Sequence, residues 1–188
     1  MISAQNLGRF PAGNSLVSDD VVEYHAARIL LVVYVCGSED AGRRHIDGLT
    51  KLAKLDFFVR YPEFFARAAE ALGKSANVEV GTPDSKMIRY HYGPWDHRYY
   101  HVLPFLEARD LMVVRKDPGK KQYRFFLTPI GDEFAGALAG RPEFSELVRR
   151  MTDVKRVLGR KNGNQLKELV YTLFGREVGD LPRGDTIE

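Results

Sequence analysis

Apolar residues dominate the stretch that follows a polar N-terminal arm, residues 1–18. The run ARILLVVYVC, residues 27–36, is hydrophobic on nearly every side of a helix. Ser18 suits a helix N-cap and Gly37 suits a helix end, so we predict a helix over residues 19–37. Because the apolar run is shorter than the ~20 residues that span a bilayer, it predicts a central core helix, or one shared with a partner subunit.

Helical periodicity continues in the segment IDGLTKLAKLDFFVRYP, which begins at Ile46. Lys51, Lys54 and Arg60 lie off its apolar stripe, and Asp56 beside them completes a pattern typical of a solvated helix face. Pro62 then favours the start of a third helix that ends at Gly73. The apolar stripe of the second helix consists of Leu49, Leu52, Leu55, Phe58 and Val59.

Polar connections flank these helices. The segment that contains Arg43, Arg44 and His45 is predicted to be a linker, and residues 74–85 are predicted to be a turn-rich loop.

Short strands and helices alternate in the second half of the chain. Asp96 is a candidate N-cap there, Pro104 implies a kink or a short first segment, and Thr128-Pro129 favours a helix start. The predicted elements are a strand over 87–92, a helix from about 95 to 110, strands over 111–116 and 122–128 joined by the turn Asp117-Pro118-Gly119-Lys120, a helix from Pro129, two helices within 142–174 separated near Lys161-Asn162-Gly163, and a frayed tail from Gly175. Core positions are then expected at Leu106, Leu111, Val113 and Phe125.

Composition is that of an ordinary globular protein. The chain has 188 residues, of which 44% are hydrophobic and 28% charged, so it is long enough for one cored domain with a small extension. Its single cysteine, Cys36, cannot form a disulfide within the chain, and the first residues lack the pattern of a signal peptide. We therefore expect a cytoplasmic protein that does not enter a membrane.

Basic residues are concentrated in the second half. The net charge is only +3, but residues 86–124 carry nine Lys and Arg against four acidic residues, and residues 141–167 carry eight against three. Scattered surface charge is the simplest interpretation, and an acidic or nucleic-acid partner is the alternative.

The predicted element order is that of a winged helix-turn-helix domain, and three short motifs are similar to those of the MarR and PadR regulators. Residues 106–111, LEARDL, resemble the end of their recognition helix, residues 115–121 resemble their wing tip, and residues 127–131, LTPIG, resemble the motif that opens the next helix. Asp110 stands where these regulators usually have glycine. The fold class expected is α+β, mostly α: a winged helix-turn-helix with extra N- and C-terminal helices.

This fold predicts four parts of the chain. They are an N-terminal arm over 1–18, a winged-helix domain with a helical N-terminal part over 19–140, a C-terminal helical extension over 141–175, and a tail over 176–188.

A second resemblance covers more of the chain. Residues 47–58, DGLTKLAKLDFF, with Arg60-Tyr61-Pro62 and residues 90–96, YHYGPWD, resemble the small winged-helix middle components of bacterial ABC-three-component systems, including the Lamassu type. In those families the small protein is an accessory subunit beside an SMC- or Rad50-like ATPase and an effector, in phage or plasmid defence. The same elements are also similar to the Panacea antitoxin domain.

Candidate binding residues cluster in the wing and around the start of the fourth helix. Lysines and arginines that crowd a tight hairpin repel one another, so a phosphate backbone or an acidic protein surface is a reasonable partner. The candidates are Arg89, His97, Arg98, Tyr99, Lys116, Lys120, Lys121 and Arg124.

Other chemistry has weaker support. His97 and His101 are four residues apart, as metal ligands can be, but further ligands are lacking nearby and a surface pair is the simpler interpretation. The aromatic residues between Tyr90 and Tyr100 fill a helix–sheet seam in one interpretation and contact phosphates or a partner in the other. No catalytic motif is present, and no cofactor or metal is predicted.

These observations lead to three alternative functions. The first is a non-catalytic accessory subunit of an SMC-like ATPase defence complex, which bridges the ATPase partner and the DNA backbone beside an effector subunit. The second is a MarR- or PadR-like transcription regulator that forms a homodimer through helices in 142–174. The third is an antitoxin-like binding module.

Overall fold

The computed structural model describes residues 21–77, 85–117, 119–120 and 122–188, and these form a mixed α+β fold. A 3-10 turn spans Pro142–Phe144, and a π-helical turn spans Gly175–Gly179. The helices are α1 (Val22–Cys36), α2 (Leu49–Arg60), α3 (Pro62–Ala71), α4 (Tyr99–Glu107), α5 (Pro129–Ala139), α6 (Ser145–Leu158) and α7 (Gly163–Phe174). The strands are β1 (Ser38–Asp40), β2 (Arg43–Asp47), β3 (Ile88–Tyr90), β4 (Gly93–Trp95), β5 (Met112–Lys116) and β6 (Tyr123–Leu127).

Two antiparallel sheets organise these strands. The larger sheet has the order β1-β2-β6-β5, and β3 and β4 form a separate hairpin. Strand β6 pairs with β2 on one side and with β5 on the other, because Phe125 lies opposite Ile46 of β2 and opposite Val114 of β5. Strand β2, which precedes α2, thus joins the hairpin that follows α4.

Helix α1 is the centre of the core, in agreement with its apolar run. It packs against α2, α4, α5 and α6, and the side chains from Ile29 to Val33 are wholly buried. A helix that is apolar on all sides requires such enclosure. Ser18, the predicted N-cap of this helix, lies outside the described residues, as does the N-terminal arm.

The segment that follows α4 packs against the start of α5, and this contact explains two features of the LEARDL and LTPIG motifs. Asp110, at the position where the regulators have glycine, has a φ of +55°, a left-handed conformation that aspartate tolerates. Thr128 caps α5 as predicted, since its hydroxyl accepts a hydrogen bond from the amide of Gly131 at 2.9 Å. A Cβ atom on Gly131 would lie only 1.8 Å from the carbonyl oxygen of Leu111, so this close approach requires glycine.

Two segments that were expected to lack ordered structure, a linker and the C-terminal tail, are folded. The segment expected to be a linker forms β1 and β2, which pair Glu39 with Arg44. The tail expected to fray is folded: Ile187 is wholly buried, its amide donates to the carbonyl of Met87 at 2.9 Å, and the Tyr61 hydroxyl donates to its carbonyl at 2.9 Å. Backbone pairing with distant segments, which local sequence does not reveal, orders both stretches.

The predicted core of the hairpin needs a correction. Leu106 and Phe125 are buried, as expected, but Leu111 and Val113 are only half-buried. Met112 is buried instead. Because side chains alternate along a strand, this places the inward face of β5 one residue away from the predicted position.

Candidate nucleic-acid interface

Arg124, one of the predicted binding residues, is held by partners within the sheet. Its Nε donates to Asp47 at 2.7 Å, and its Nη2 lies 3.1 Å from Asp40 and 2.8 Å from Nε2 of His45. The guanidinium is therefore already matched by two carboxylates. It fixes β2 and β1 against β6.

Lys116 and Lys120 are exposed on the β5–β6 hairpin, and Lys121 lies outside the described residues. Asp117 shapes the turn between them, because its carboxylate accepts from the Gly119 amide at 2.9 Å. Of the predicted hairpin cations in the described part of the chain, these two lysines present their charge to solvent.

The other predicted residues lie near the start of α4 and have different environments. Arg89 is half-buried and donates to the carbonyl of Gly179 at 3.2 Å. His97 is exposed and precedes α4, so it does not share a helical face with His101, as a metal pair would. Tyr99 is 1% exposed, which does not fit a phosphate contact.

A buried charge network occupies this end of the molecule, and it overturns the prediction of a solvated face on α2. We define it as Arg28, Asp56, Arg60 and Asp96, each at most 5% exposed. Asp56 accepts from Nε of Arg28 at 2.8 Å and from the Tyr99 hydroxyl at 2.7 Å. Nη1 of Arg60 lies 2.8 Å from Asp96 and 3.4 Å from Asp56.

Arg98 and Ser85 extend the network towards the surface. Nε of Arg98 donates to Asp96 at 2.8 Å, and its Nη2 donates to the Ser85 hydroxyl at 2.9 Å. Arg60 also donates to that hydroxyl, at 2.7 Å. Arg98 is therefore a structural partner of Asp96, which limits its availability for reading a base.

The pKa values of these carboxyls follow from two opposed effects. Burial raises the pKa of Asp56, and the charges of Arg28 and Arg60 outweigh it, so the pKa is lowered overall. The pKa of Asp96 falls to about 2, because the hydrogen bond from Arg98 and the charge of Arg60 outweigh the effect of burial. Both groups are ionised at neutral pH, and the network is structural.

Lys54 is also buried, although the helical pattern placed it on the solvent side. Its ammonium group donates to the Pro94 carbonyl at 2.8 Å, and burial lowers its pKa to about 7. This contact ties α2 to the β3–β4 hairpin.

At the opposite end of α2, a cavity of about 610 Å³ lies between the β5–β6 hairpin, the start of α2 and the turn between α6 and α7. We call it the basic groove. Its cationic lining residues are Lys51, Lys120, Arg160 and Lys161. Asp47 is the acidic residue in the lining, and its carboxylate is already 2.7 Å from Arg124.

The charges of the groove have few internal partners. Among the described residues, the side chains of Lys120, Arg160 and Lys161 make no ion pair or hydrogen bond. Lys51 is half-buried and donates to the Gly159 carbonyl at 3.0 Å, and burial lowers its pKa. Helix α2 begins at this groove without a side-chain cap, so its positive end adds to the field.

A second basic hollow continues from the groove along the C-terminal part of α6. It has a volume of about 890 Å³ and shares Arg160 with the groove. Its other cations include Lys155 and Arg156. Cys36 lies at its base, where burial raises the pKa of the thiol to about 12 and makes it a poor nucleophile.

Sequence reasoning missed three of the four cations of the groove. Lys51 was assigned to a solvated helix face, and Arg160 and Lys161 were counted only as part of the charge excess of residues 141–167. The adjacent pair Arg160-Lys161 at a predicted helix break was the available signal, since cations at a turn are free to face a ligand.

Comparisons with family models, with curated proteins and with solved structures found no match. In the described ranges, no cluster of three or more His, Cys, Asp or Glu side chains could hold a metal ion. None of the helices described is both long enough and apolar enough to cross a membrane.

Proposed function

We propose that the chain is a non-catalytic winged-helix module that binds the phosphate backbone of duplex DNA through the basic groove. The observation that carries the proposal is the convergence of four cations from three separate segments onto one cavity. Such a concentration of like charge is costly unless an anion occupies it. A phosphate backbone supplies the required series of negative charges.

The sheet topology supports a winged-helix interpretation. Strand β2 follows a helix, α2 to α4 come next, and the β5–β6 hairpin returns to pair β6 with β2. The β3–β4 hairpin is an insertion between α3 and α4 in this scheme. The β5–β6 hairpin is then the wing, and its lysines reach the phosphates beside the groove.

Contacts of this kind give little sequence preference. Lysine is a compact point charge without the fixed fork of donors that reads a base edge. Arg98, the best candidate for base readout, is engaged by Asp96 and Ser85. We therefore propose that binding depends on the phosphates and not on the base sequence.

Among the alternatives, the accessory-subunit role fits better than a dimeric regulator. The regulator alternative requires helices within residues 142–174 to pair with a second copy, but their apolar faces are already used within the chain. Leu147, Met151, Val154, Val157, Leu158, Leu166, Val170 and Phe174 are all buried. An SMC- or Rad50-like ATPase and an effector, as in the ABC-three-component systems, are the partners that the sequence resemblance suggests.

An apolar hollow elsewhere on the surface is suited to such a partner. It has a volume of about 280 Å³ and lies between α1, α4 and α5, with Phe105 and Leu138 in its lining. Phe134 at its edge is 48% exposed. A partner subunit docked there would leave the basic groove open to DNA.

Charge reversal tests the proposed function. In fluorescence anisotropy with a duplex of about 20 base pairs in low salt, the variant K120E/K161E should bind at least about tenfold more weakly than the unaltered chain. The matched control R141E/R176E changes the net charge equally at exposed sites that do not line the groove, and should bind normally. The loss should be equal for duplexes of unrelated sequence.

Two results would overturn the proposal. One is the absence of DNA binding by the unaltered chain. The other is an equal loss in both double variants, because affinity would then follow net charge and not the groove.

A further inference from the structure

A cluster of aromatic rings lies at the β3–β4 hairpin and the start of α4. Ring centroids are 6.4 Å apart for Tyr92 and His91, 4.7 Å for His91 and Tyr90, and 6.1 Å for Tyr90 and Trp95. The series continues from Trp95 to Tyr100 at 6.1 Å. We call these residues, with His97, which contacts Tyr90 at 5.5 Å, the aromatic cluster.

Much of this cluster faces solvent. Tyr92 is 58% exposed and Tyr100 is 59% exposed, and His91 and His97 are exposed as well. Trp95, at 8% exposure, lies beneath them. Rings that merely filled the seam between a helix and a sheet would be covered, so the outer rings of the cluster do not serve the core.

The cluster lies close to the basic groove along α7. The groove includes Gly163 at the start of α7, and Lys167 is four residues further, about 6 Å along the helix axis. The ammonium group of Lys167 is 5.7 Å from the centroid of the Tyr92 ring. The Tyr171 hydroxyl, one turn on, donates to the carbonyl of His91 at 3.4 Å.

We propose that the aromatic cluster stacks the bases of unpaired nucleotides, so that the preferred ligand is DNA in which a duplex gives way to a single strand. This inference rests on the proposed function, since the duplex portion occupies the basic groove. Aromatic rings stack on any base, and a neighbouring cation matches the phosphate of the same nucleotide. Tyr92 with Lys167 supplies both elements.

The cluster is unsuited to an intact duplex. Bases within a duplex are stacked on one another and present only their edges to a protein. Base faces become available where the strands separate or end. The groove supplies cations, and the nearest ring of the cluster, Tyr92, lies beside Lys167, one helical turn along α7 from Gly163 of the groove. The two features therefore correspond to the two parts of a duplex with a single-stranded overhang.

The experiment compares a blunt duplex with the same duplex carrying an overhang of about six thymidines, again by anisotropy. The unaltered chain should bind the overhang substrate about tenfold more tightly, as expected when a base stack is added. The variant Y92A/Y100A should lose this gain and keep its affinity for the blunt duplex. The variant Y92F/Y100F keeps the rings and should retain the gain in affinity. The variant I130A removes an exposed apolar side chain of α5 that lines neither the groove nor the apolar hollow, and it should retain the gain as well.

Trp95 gives a second readout, because it is the single tryptophan of the chain. A base that stacks on the neighbouring ring of Tyr100 should change the fluorescence of Trp95. This change should occur with the overhang substrate and not with the blunt duplex. Thermal unfolding of Y92A/Y100A should match the unaltered chain, since both side chains are mostly exposed.

The outcomes separate this inference from the proposed function. K120E/K161E should weaken both substrates, whereas Y92A/Y100A should affect only the overhang. Equal affinity of the unaltered chain for the two substrates would overturn the inference while leaving the groove intact. The inference would also be overturned if Y92A/Y100A still bound the overhang substrate more tightly than the blunt duplex. The cluster would then be assigned to a protein partner.

Discussion

Gly131 lies where the first turn of α5 passes against the backbone that leaves α4. A methyl group there would meet the Leu111 carbonyl oxygen at 1.8 Å, and neither backbone segment can move away without disturbing the hairpin. At Gly140, near the other end of α5, an added methyl group finds ordinary contacts at 3.7 Å. The same substitution therefore has opposite consequences at the two ends of one helix.

We predict that Gly131→Ala lowers the free energy of unfolding by about 2 kcal/mol or more, the cost of forcing an atom into a filled space. Gly140→Ala should leave it unchanged or raise it by a few tenths of a kcal/mol. Urea unfolding followed by circular dichroism gives both values. Equal stability of the two variants would mean that α5 does not approach Leu111 as closely as described.

Individual charged residues show where the sequence was misleading. Lys54 and Arg60 lie off the apolar stripe of α2, and a charged residue in that position usually faces water. Helix α2 instead has neighbours on several sides, including α1, α6 and α7, so it has little solvent face left. The burial of these two side chains depends on distant carboxylates and carbonyls, which a local pattern does not contain.

Between elements, the buried charge network connects α1, α2 and the segment before α4. Arg28 comes from α1, Asp56 and Arg60 from α2, and Asp96 from the turn after β4. Removing one member leaves a buried charge of its neighbours incompletely compensated, and breaking a buried ion pair in this way typically costs about 3–5 kcal/mol. The network thus holds three segments in one relative position.

Acid should weaken this connection in a defined pH range. The pKa of Asp96 is about 2 in the folded chain and about 3.9 in an unfolded one, so its contribution is complete above about pH 5 and is lost as the pH falls towards 2. We predict that the stability difference between the unaltered chain and Asp96→Asn shrinks by about 1 kcal/mol from pH 5 to pH 3. Chemical denaturation at the two pH values measures it, and a constant difference would contradict the assignment.

Most elements could be predicted from the sequence because their signals are local. The apolar period of α2, the Pro62 start of α3 and the Thr128 cap of α5 are each contained within one element, and each is confirmed. Strand β1 could not be predicted, because its three residues are polar and exposed and it exists only through pairing with β2. The folded tail has the same origin, in its pairing near Ile88.

At the scale of the whole molecule, the charge excess of the second half was visible in the sequence but its arrangement was not. The cations of the groove belong to segments that are far apart along the chain and meet only in the fold. They are Lys51, Lys120 and the pair Arg160-Lys161. Arg124, which the sequence placed with the wing lysines, is instead matched by Asp47 and Asp40. Which cations converge is decided by the packing of α2 against α6 and α7.

The salt dependence of duplex binding tests the groove most directly. If its four cations each contact a phosphate, the logarithm of the association constant should fall with the logarithm of salt concentration with a slope of about −3 to −4. K120E/K161E should flatten that slope by about 2, and R141E/R176E should leave it unchanged. Binding that is insensitive to salt, or a slope that K120E/K161E does not alter, would contradict a role of the basic groove in holding DNA.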